Sequence, residues 1–194
     1  RYDVDPVLEP LPPWWTTEAL GSGEASAGVY NDTYVFESSG AGFHPTTGRS
    51  MQFTSQPFEG DFEIVARVMN VEFTGDHAFA GLMITEGLEN DDAYYSAVVT
   101  SHAGLLVHQR DADGATESLV EEGYAPSEWL RIRRVGNQVF SEHSPNGRDW
   151  ASLHSTMLEL SEEVNVGIVS AGVEGPGRAR LDNIGVHELQ WTCE

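Results

Sequence analysis

Residues 60–68 read Gly-Asp-Phe-Glu-Ile-Val-Ala-Arg-Val, and their alternation decides the fold class. Successive side chains of an extended chain point to opposite faces, so Phe62, Ile64, Ala66 and Val68 share one side while Asp61, Glu63, Val65 and Arg67 share the other. This pattern predicts an antiparallel strand with one face buried. The same period recurs from Leu130, where Leu130 and Ile132 alternate with Arg131 and Arg133, and Val135-Gly136-Asn137-Gln138 supplies a hairpin turn into the next run. Ser144-Pro145-Asn146-Gly147-Arg148-Asp149, ahead of Trp150, is a second turn whose Pro and Asn-Gly provide the required dihedrals.

Working outward, short runs rich in Val, Ile, Phe and Tyr recur from Val29, separated by Gly, Asn, Asp and Pro about every ten residues. Strands are expected at 33–38, 50–54, 61–71, 78–85, 93–100, 105–111, 129–135, 138–144, 164–171 and 179–189, and no long amphipathic helix is evident. Several of these runs are apolar on both faces, which favours an all-β, two-sheet antiparallel sandwich over a barrel. Residues 1–15 contain Pro6, Pro10, Pro12 and Pro13 and end in Trp14 and Trp15, so they read as a proline-rich arm or linker docked by its aromatics. The sandwich domain is expected over 16–190 and a C-terminal tail over 191–194.

The chain has 194 residues, 40% of them hydrophobic, enough for the core of one ordinary domain. Its 10 basic residues, all arginine, stand against 31 acidic ones, a formal charge of −21. Such a field repels phosphate backbones and anionic headgroups, so no nucleic acid partner is expected and membrane surfaces fall to the bottom of the list. No apolar run approaches the roughly 20 residues a spanning helix needs, so membrane insertion is not expected. A halophilic protein and a secreted protein from an arginine-biased genome both fit this composition. The chain begins at Arg1 without a signal-peptide core, which reads as a processed piece of something longer. The single Cys193 cannot form a disulfide within the chain and excludes multi-cysteine zinc sites; pairing beyond the chain and a free thiol are the alternatives.

The segments GDFEIVARV (60–68), AGLMITEGL (80–88), EWLRIRRVGNQVFSEHSPNGRDW (128–150), VNVGIVSAG (164–172) and ARLDNIGV (179–186) resemble, in order, a bacterial family of concanavalin A-like jelly-roll domains. Members are sometimes called "regulation of enolase" domains. The resemblance covers about residues 26–188 and implies a β-sandwich with a curved sheet, lectin-like carbohydrate recognition and a place beside other modules in secreted proteins. Where members commonly show Met-Ile-Arg, this chain has Met83-Ile84-Thr85.

Sugar rings stack on aromatic faces while their hydroxyls take paired hydrogen bonds from carboxylates, amides, imidazoles and guanidiniums. Tyr94 and Tyr95, with His108, Gln109 and Arg110 on the following run, supply that mixture, and Trp14 and Trp15 are either linker anchors or a ligand platform. Tyr94 shares a face with Ser96, Val98 and Thr100, and His108 with Leu106 and Arg110; the short connection 101–104 makes the two runs antiparallel neighbours. The competing reading sends one tyrosine of the pair into the core. Trp129 and Trp150 read as core packing.

Asp111-Ala112-Asp113-Gly114 carries part of a calcium-loop pattern, and Asp182 lies where calcium-binding jelly rolls often place a ligand. Structural calcium held by Asp91, Asp92, Asp111, Asp113 and Asp182 is therefore the cofactor expectation, against a plain hairpin turn at 111–114. Glu59-Gly60-Asp61-Phe62-Glu63 resembles the carboxylate strand of laminarinase-like glycosidases, but Gly60 stands where those enzymes carry an apolar residue, and a strand start explains the segment. The sequence thus points to a non-catalytic extracellular or cell-surface module that binds a glycan or cell-surface polysaccharide. A structural interaction subunit joined to other modules of an assembly is the alternative, with a glycoside hydrolase behind it. The charge alone makes a prediction: salt screens the self-repulsion of 21 excess negative charges, so denaturation midpoints should rise from dilute buffer to molar sodium chloride. A flat profile would leave genome bias as the source of the arginine-only composition.

Overall fold

A computed structural model describes residues 6–44, 48–72, 75, 77–102, 104–111, 114, 116–121 and 128–190. The first five residues of the arm, Asp113, Cys193 and the 191–194 tail lie outside the described residues.

The strands run β1 (Thr16–Leu20), β2 (Ala25–Tyr30), β3 (Thr33–Ser38), β4 (Gly42–His44), β5 (Gly48–Glu59), β6 (Phe62–Glu72), β7 (Phe79–Thr85) and β8 (Tyr94–Thr100). They continue as β9 (Leu105–Arg110), β10 (Thr116–Glu121), β11 (Glu128–Val135), β12 (Gln138–Ser144), β13 (Ala151–Met157), β14 (Glu163–Ala171) and β15 (Gly177–Glu188). They form two antiparallel sheets. One has eight strands in the order β1-β5-β14-β7-β8-β9-β10, with β4 paired to β5; the other has seven in the order β13-β12-β11-β6-β15-β3-β2. The molecule is a two-sheet antiparallel β-sandwich.

The alternation in β6 builds the core: Phe62, Ile64, Ala66 and Val68 are buried and their neighbours are not. They meet Leu130 and Ile132 of β11 on their own sheet and Leu82, Ile84, Tyr95, Ala97, Val166 and Ile168 from the facing one. The side chain of Tyr95 ties the sheets together, its Oη lying 2.6 Å from Ser141 Oγ and 3.3 Å from His154 Nδ1. Burial raises the Tyr95 pKa, keeping the phenol neutral. Strands β7 and β8 are buried on both faces. Their outer side forms a second cluster in which Met51, Phe53, Phe79, Met83, Tyr94 and Val98 pack with Phe43.

Arg134 shares the inward register of Leu130 and Ile132 and is buried, donating to backbone carbonyls: Gly136 O at 3.0 Å, Leu160 O at 3.0 Å and Glu162 O at 3.2 Å. The turn at 144–149 is held by its own side chains, with Ser144 Oγ accepting from Gly147 N at 2.9 Å and Asn146 Oδ1 accepting from Arg148 N and Asp149 N at 2.9 Å each.

Trp129 and Trp150 correct the sequence reading. Neither is in the core; both lie half-buried on the outer face of the seven-stranded sheet. The Arg67 guanidinium is 5.6 Å from the Trp129 ring and the Arg131 guanidinium 4.2 Å from that of Trp150. A side chain at Gly147 (φ 71°) would place its Cβ 2.9 Å from the Trp129 ring, so the turn and the indole pack only because this residue is glycine.

Replacing Tyr95 by Phe removes one donor–acceptor group from the inter-sheet contact without changing its volume. Unfolding free energy should fall by about 1 kcal/mol, read as a lower urea midpoint at unchanged slope.

Candidate functional site

The pairing that brings Tyr94, His108 and Arg110 together is present. Tyr94 faces Arg110 and Ser96 faces His108 across β8 and β9, on the outer side of the eight-stranded sheet. That side is covered, however. The β4–β5 hairpin folds over it and lays the Phe43 ring on His108 (4.3 Å), Phe79 (5.1 Å) and Tyr94 (5.4 Å). Arg49, 1% exposed, lies over the Tyr94 ring at 4.9 Å and donates to Thr85 Oγ1 at 2.9 Å and to the carbonyls of Gly87 and Glu89. Its Nε has no hydrogen-bond partner among the described residues, and burial lowers its pKa. Thr85 is thus reached by a guanidinium from another strand. Tyr95 and Gln109 pair with each other, and their register turns them from this face toward the interior. Tyr94 is buried here and His108 half-buried beneath Phe43; they do not form an open platform.

Among the described residues, Asp91, Asp92, Asp111 and Asp182 do not converge; Asp113 lies outside them. Asp92 Oδ2 accepts from Glu89 N at 2.8 Å and orders its own loop, while Asp91 meets Arg110 through its backbone carbonyl at 3.4 Å. The carbonyl of Asp111 accepts from Gly114 N at 3.0 Å. Asp182 sits on the other sheet, where Arg67 Nε donates to its Oδ1 at 2.7 Å and holds its pKa down. Among the described residues no three His, Cys, Asp or Glu converge on a point where a cation could sit. In the arm, Trp15 is buried and Trp14 is 59% exposed.

The open surface is elsewhere, on the outer face of the seven-stranded sheet where β2, β3 and β15 lie side by side. Ser26 pairs with Glu37 and Tyr30 with Thr33 across β2 and β3; Glu37 pairs with Arg178 and Val35 with Arg180 across β3 and β15. The Arg178 guanidinium grips Glu37 Oε1 through Nε (2.8 Å) and Nη2 (2.6 Å), and Ser26 Oγ donates to Glu37 Oε2 at 3.2 Å. Arg180 Nη1 donates to Glu72. Two cavities meet at Arg178. The larger, about 720 Å³, is lined by Glu24, Ser26, Glu37, Ser39 and Glu72; the smaller, about 260 Å³, by Leu8, Tyr30, Asn31, Thr33 and Arg180.

The two-residue loop Asn31-Asp32, with φ of 47° and 61°, turns β2 into β3 and fixes Tyr30, 45% exposed, at the rim. Both dihedrals are positive, as a tight hairpin requires, and Asn and Asp tolerate them better than other side chains. Sequence reasoning missed this groove, although Val29-Tyr30-Asn31-Asp32-Thr33-Tyr34 carries a hairpin signal and Arg178 and Arg180 alternate on one face.

No family model matches the chain, and no curated protein matches it. Solved structures do. A functionally unknown protein from Saccharomyces cerevisiae superposes with a TM-score of 0.73 at 16% identity, over 87% of this chain and 97% of that one. The carbohydrate binding module CBM66 from Bacillus subtilis gives 0.59 at 12%, over 90% and 96%. A family 7 alginate lyase gives 0.59 at 10%, over 84% and 83%. At these identities the likeness shows the fold, which carries both binding modules and enzymes.

His108 generates a prediction for the closed face. Burial lowers its pKa to about 4 from the ordinary 6.5, so the unfolded chain binds a proton that the folded chain refuses. The stabilising effect is complete above pH about 6.5 and is lost as pH falls toward 4, on the order of 3 kcal/mol over the window. His108→Phe, which retains a ring against Phe43, should flatten the urea midpoint between pH 6.5 and 4; a wild-type slope that persists in the variant would assign the loss to other groups.

Proposed function

We propose that the protein is a non-catalytic carbohydrate-binding module of a secreted or surface protein, and that the groove across β2, β3 and β15 takes a neutral glycan. The carrying observation is the junction of the two cavities at the Arg178–Glu37 pair, flanked by Tyr30 on one side and by serine hydroxyls on the other. A guanidinium and a carboxylate held side by side offer donors and acceptors in the spacing that vicinal hydroxyls use, and an exposed tyrosine offers a face for the apolar side of a sugar ring. The jelly-roll resemblance of the sequence points the same way, toward secreted domains with lectin-like roles.

The non-catalytic reading is supported by how the carboxylates are spent. Glu37 and Glu72 are each bound to an arginine, which is not the division into acid and nucleophile that sugar hydrolysis needs. Asp61, from the segment resembling a glycosidase strand, accepts from Gly136 N at 2.7 Å and closes the β11–β12 turn. No metal enters this reading, because Asp182 is bound to Arg67 and Asp92 to its own loop.

Affinity electrophoresis and calorimetry against soluble xylan, mannan, laminarin and dextran test the proposal. Wild-type protein should bind at least one, and Arg178→Ala and Tyr30→Ala should each weaken that binding tenfold or more, about 1.4 kcal/mol. Both side chains are surface groups, so melting temperatures should stay within a few degrees. Binding that survives both substitutions places the site elsewhere, and wild-type indifference to all four polysaccharides removes the glycan reading.

A further inference from the structure

We infer that the N-terminal arm is a working wall of this groove, so that glycan affinity is coupled to arm docking; the inference rests on the glycan reading above. Residues 6–9 run beside β2 as an abbreviated edge strand. Glu9 N donates to Val29 O at 2.8 Å, and Val29 N donates to Glu9 O at 2.9 Å. The side chains alternate as in a strand: Val7 is 88% exposed, while Pro6 and Leu8 line the smaller cavity.

The seat for the arm is Gly28. A Cβ there would lie 2.7 Å from Leu8 Cβ and 3.0 Å from Glu9 O, so even alanine would force the arm outward. Val35, the cross-strand partner of Gly28, faces outward from the sandwich yet is only 6% exposed, and it lines the same cavity as Leu8. Without the arm, this cavity would lose one side, and Val35 would become an apolar spot on an open sheet.

Among the described residues, 6–9 meet the sandwich through one reciprocal backbone pair and the side chains of Pro6 and Leu8, while Trp15 anchors the arm's far end and the domain has a continuous core; this stretch therefore opens locally at far lower cost than the domain unfolds. A glycan touching Leu8 on one side and Tyr30 and Arg178 on the other binds the docked state better than the open one. It therefore shifts the arm toward docking, and docking raises its affinity by the same factor. The proline-rich arm then acts as part of the recognition surface.

The test uses the full chain, with hydrogen exchange at the Val29 amide as a readout that needs no glycan. Gly28→Val and Leu8→Ser should each speed that exchange about tenfold. Xylan, mannan, laminarin and dextran are run separately; any that wild type binds should be bound at least fivefold more weakly by both variants and should slow Val29 exchange in wild type. Val7→Ser, on the solvent side, should change neither. Leu8→Ser lies outside the sandwich and keeps the test informative if Gly28→Val misfolds. Variants that release the arm yet bind as tightly as wild type overturn the inference alone, as does Val29 exchange that neither variant changes. Wild-type indifference to all four polysaccharides overturns it together with the glycan reading.

Discussion

Phe43, lying on Phe79, Tyr94 and His108, is the contact on which the use of the two sheet faces depends. Strands β7 and β8 are apolar toward both sides. A sheet with such central strands must be covered twice, once by the facing sheet and once from outside. The facing sheet provides the first cover and the β4–β5 hairpin the second. The hairpin's underside carries Arg49, whose guanidinium gathers the carbonyls of Gly87 and Glu89 and fastens the β7–β8 loop to the cover. The face that looks in sequence like a ligand platform is therefore spent on stability. Open instead is the outer face of the other sheet at its β2–β3 margin, beside which the arm runs.

The strands that were legible in the sequence and those that were not divide along the same physical line. Central strands such as β6, β7, β8, β11 and β14 carry dense Val, Ile, Leu and Phe because both or one of their faces are dry, and their periodicity is plain. Four of the five strands absent from the sequence reading, β1, β2, β10 and β13, are the terminal strands of the two sheets. Thr-Thr-Glu-Ala-Leu and Ala-Ser-Leu-His-Ser-Thr-Met are compositions of half-solvated edges, which the hydrophobic pattern does not separate from loops. The fifth, β4, is three residues long and matters only through what it covers.

Local adjacency was readable and long-range adjacency was not. The connection 101–104 makes Tyr94 and Arg110 neighbours, but nothing near them announces Phe43, some fifty positions earlier. The groove has the same character: Arg178 meets Glu37 across 141 positions of chain, and the arm completes the wall from the far end of the sequence. Trp129 is a different case, because the alternation already grouped it with Arg131 and Arg133 on the outward side of β11. The weight given to a large apolar ring outran the periodicity.

The distribution of arginine bears on what kind of ligand the groove can hold. Five of the ten arginines lie on the outer face of the seven-stranded sheet, and every one meets an acid. Arg67 is bound to Asp182, Arg131 and Arg133 share Glu142, Arg178 holds Glu37, and Arg180 holds Glu72. Such partly exposed pairs add little stability individually. Their effect is local: each of these guanidiniums is offset by a carboxylate beside it, so on a molecule carrying −21 they display side-by-side donors and acceptors in place of free positive charge. A phosphate or uronate would have to compete with Glu37 for Arg178 while crossing the repulsion of the whole chain. Two adjacent hydroxyls do neither, since one can donate to the carboxylate while the other accepts from the guanidinium with the ion pair left intact. The geometry of the pair and the charge of the molecule therefore select against the same ligands, and under the proposed glycan reading a neutral sugar is the chemistry that satisfies both.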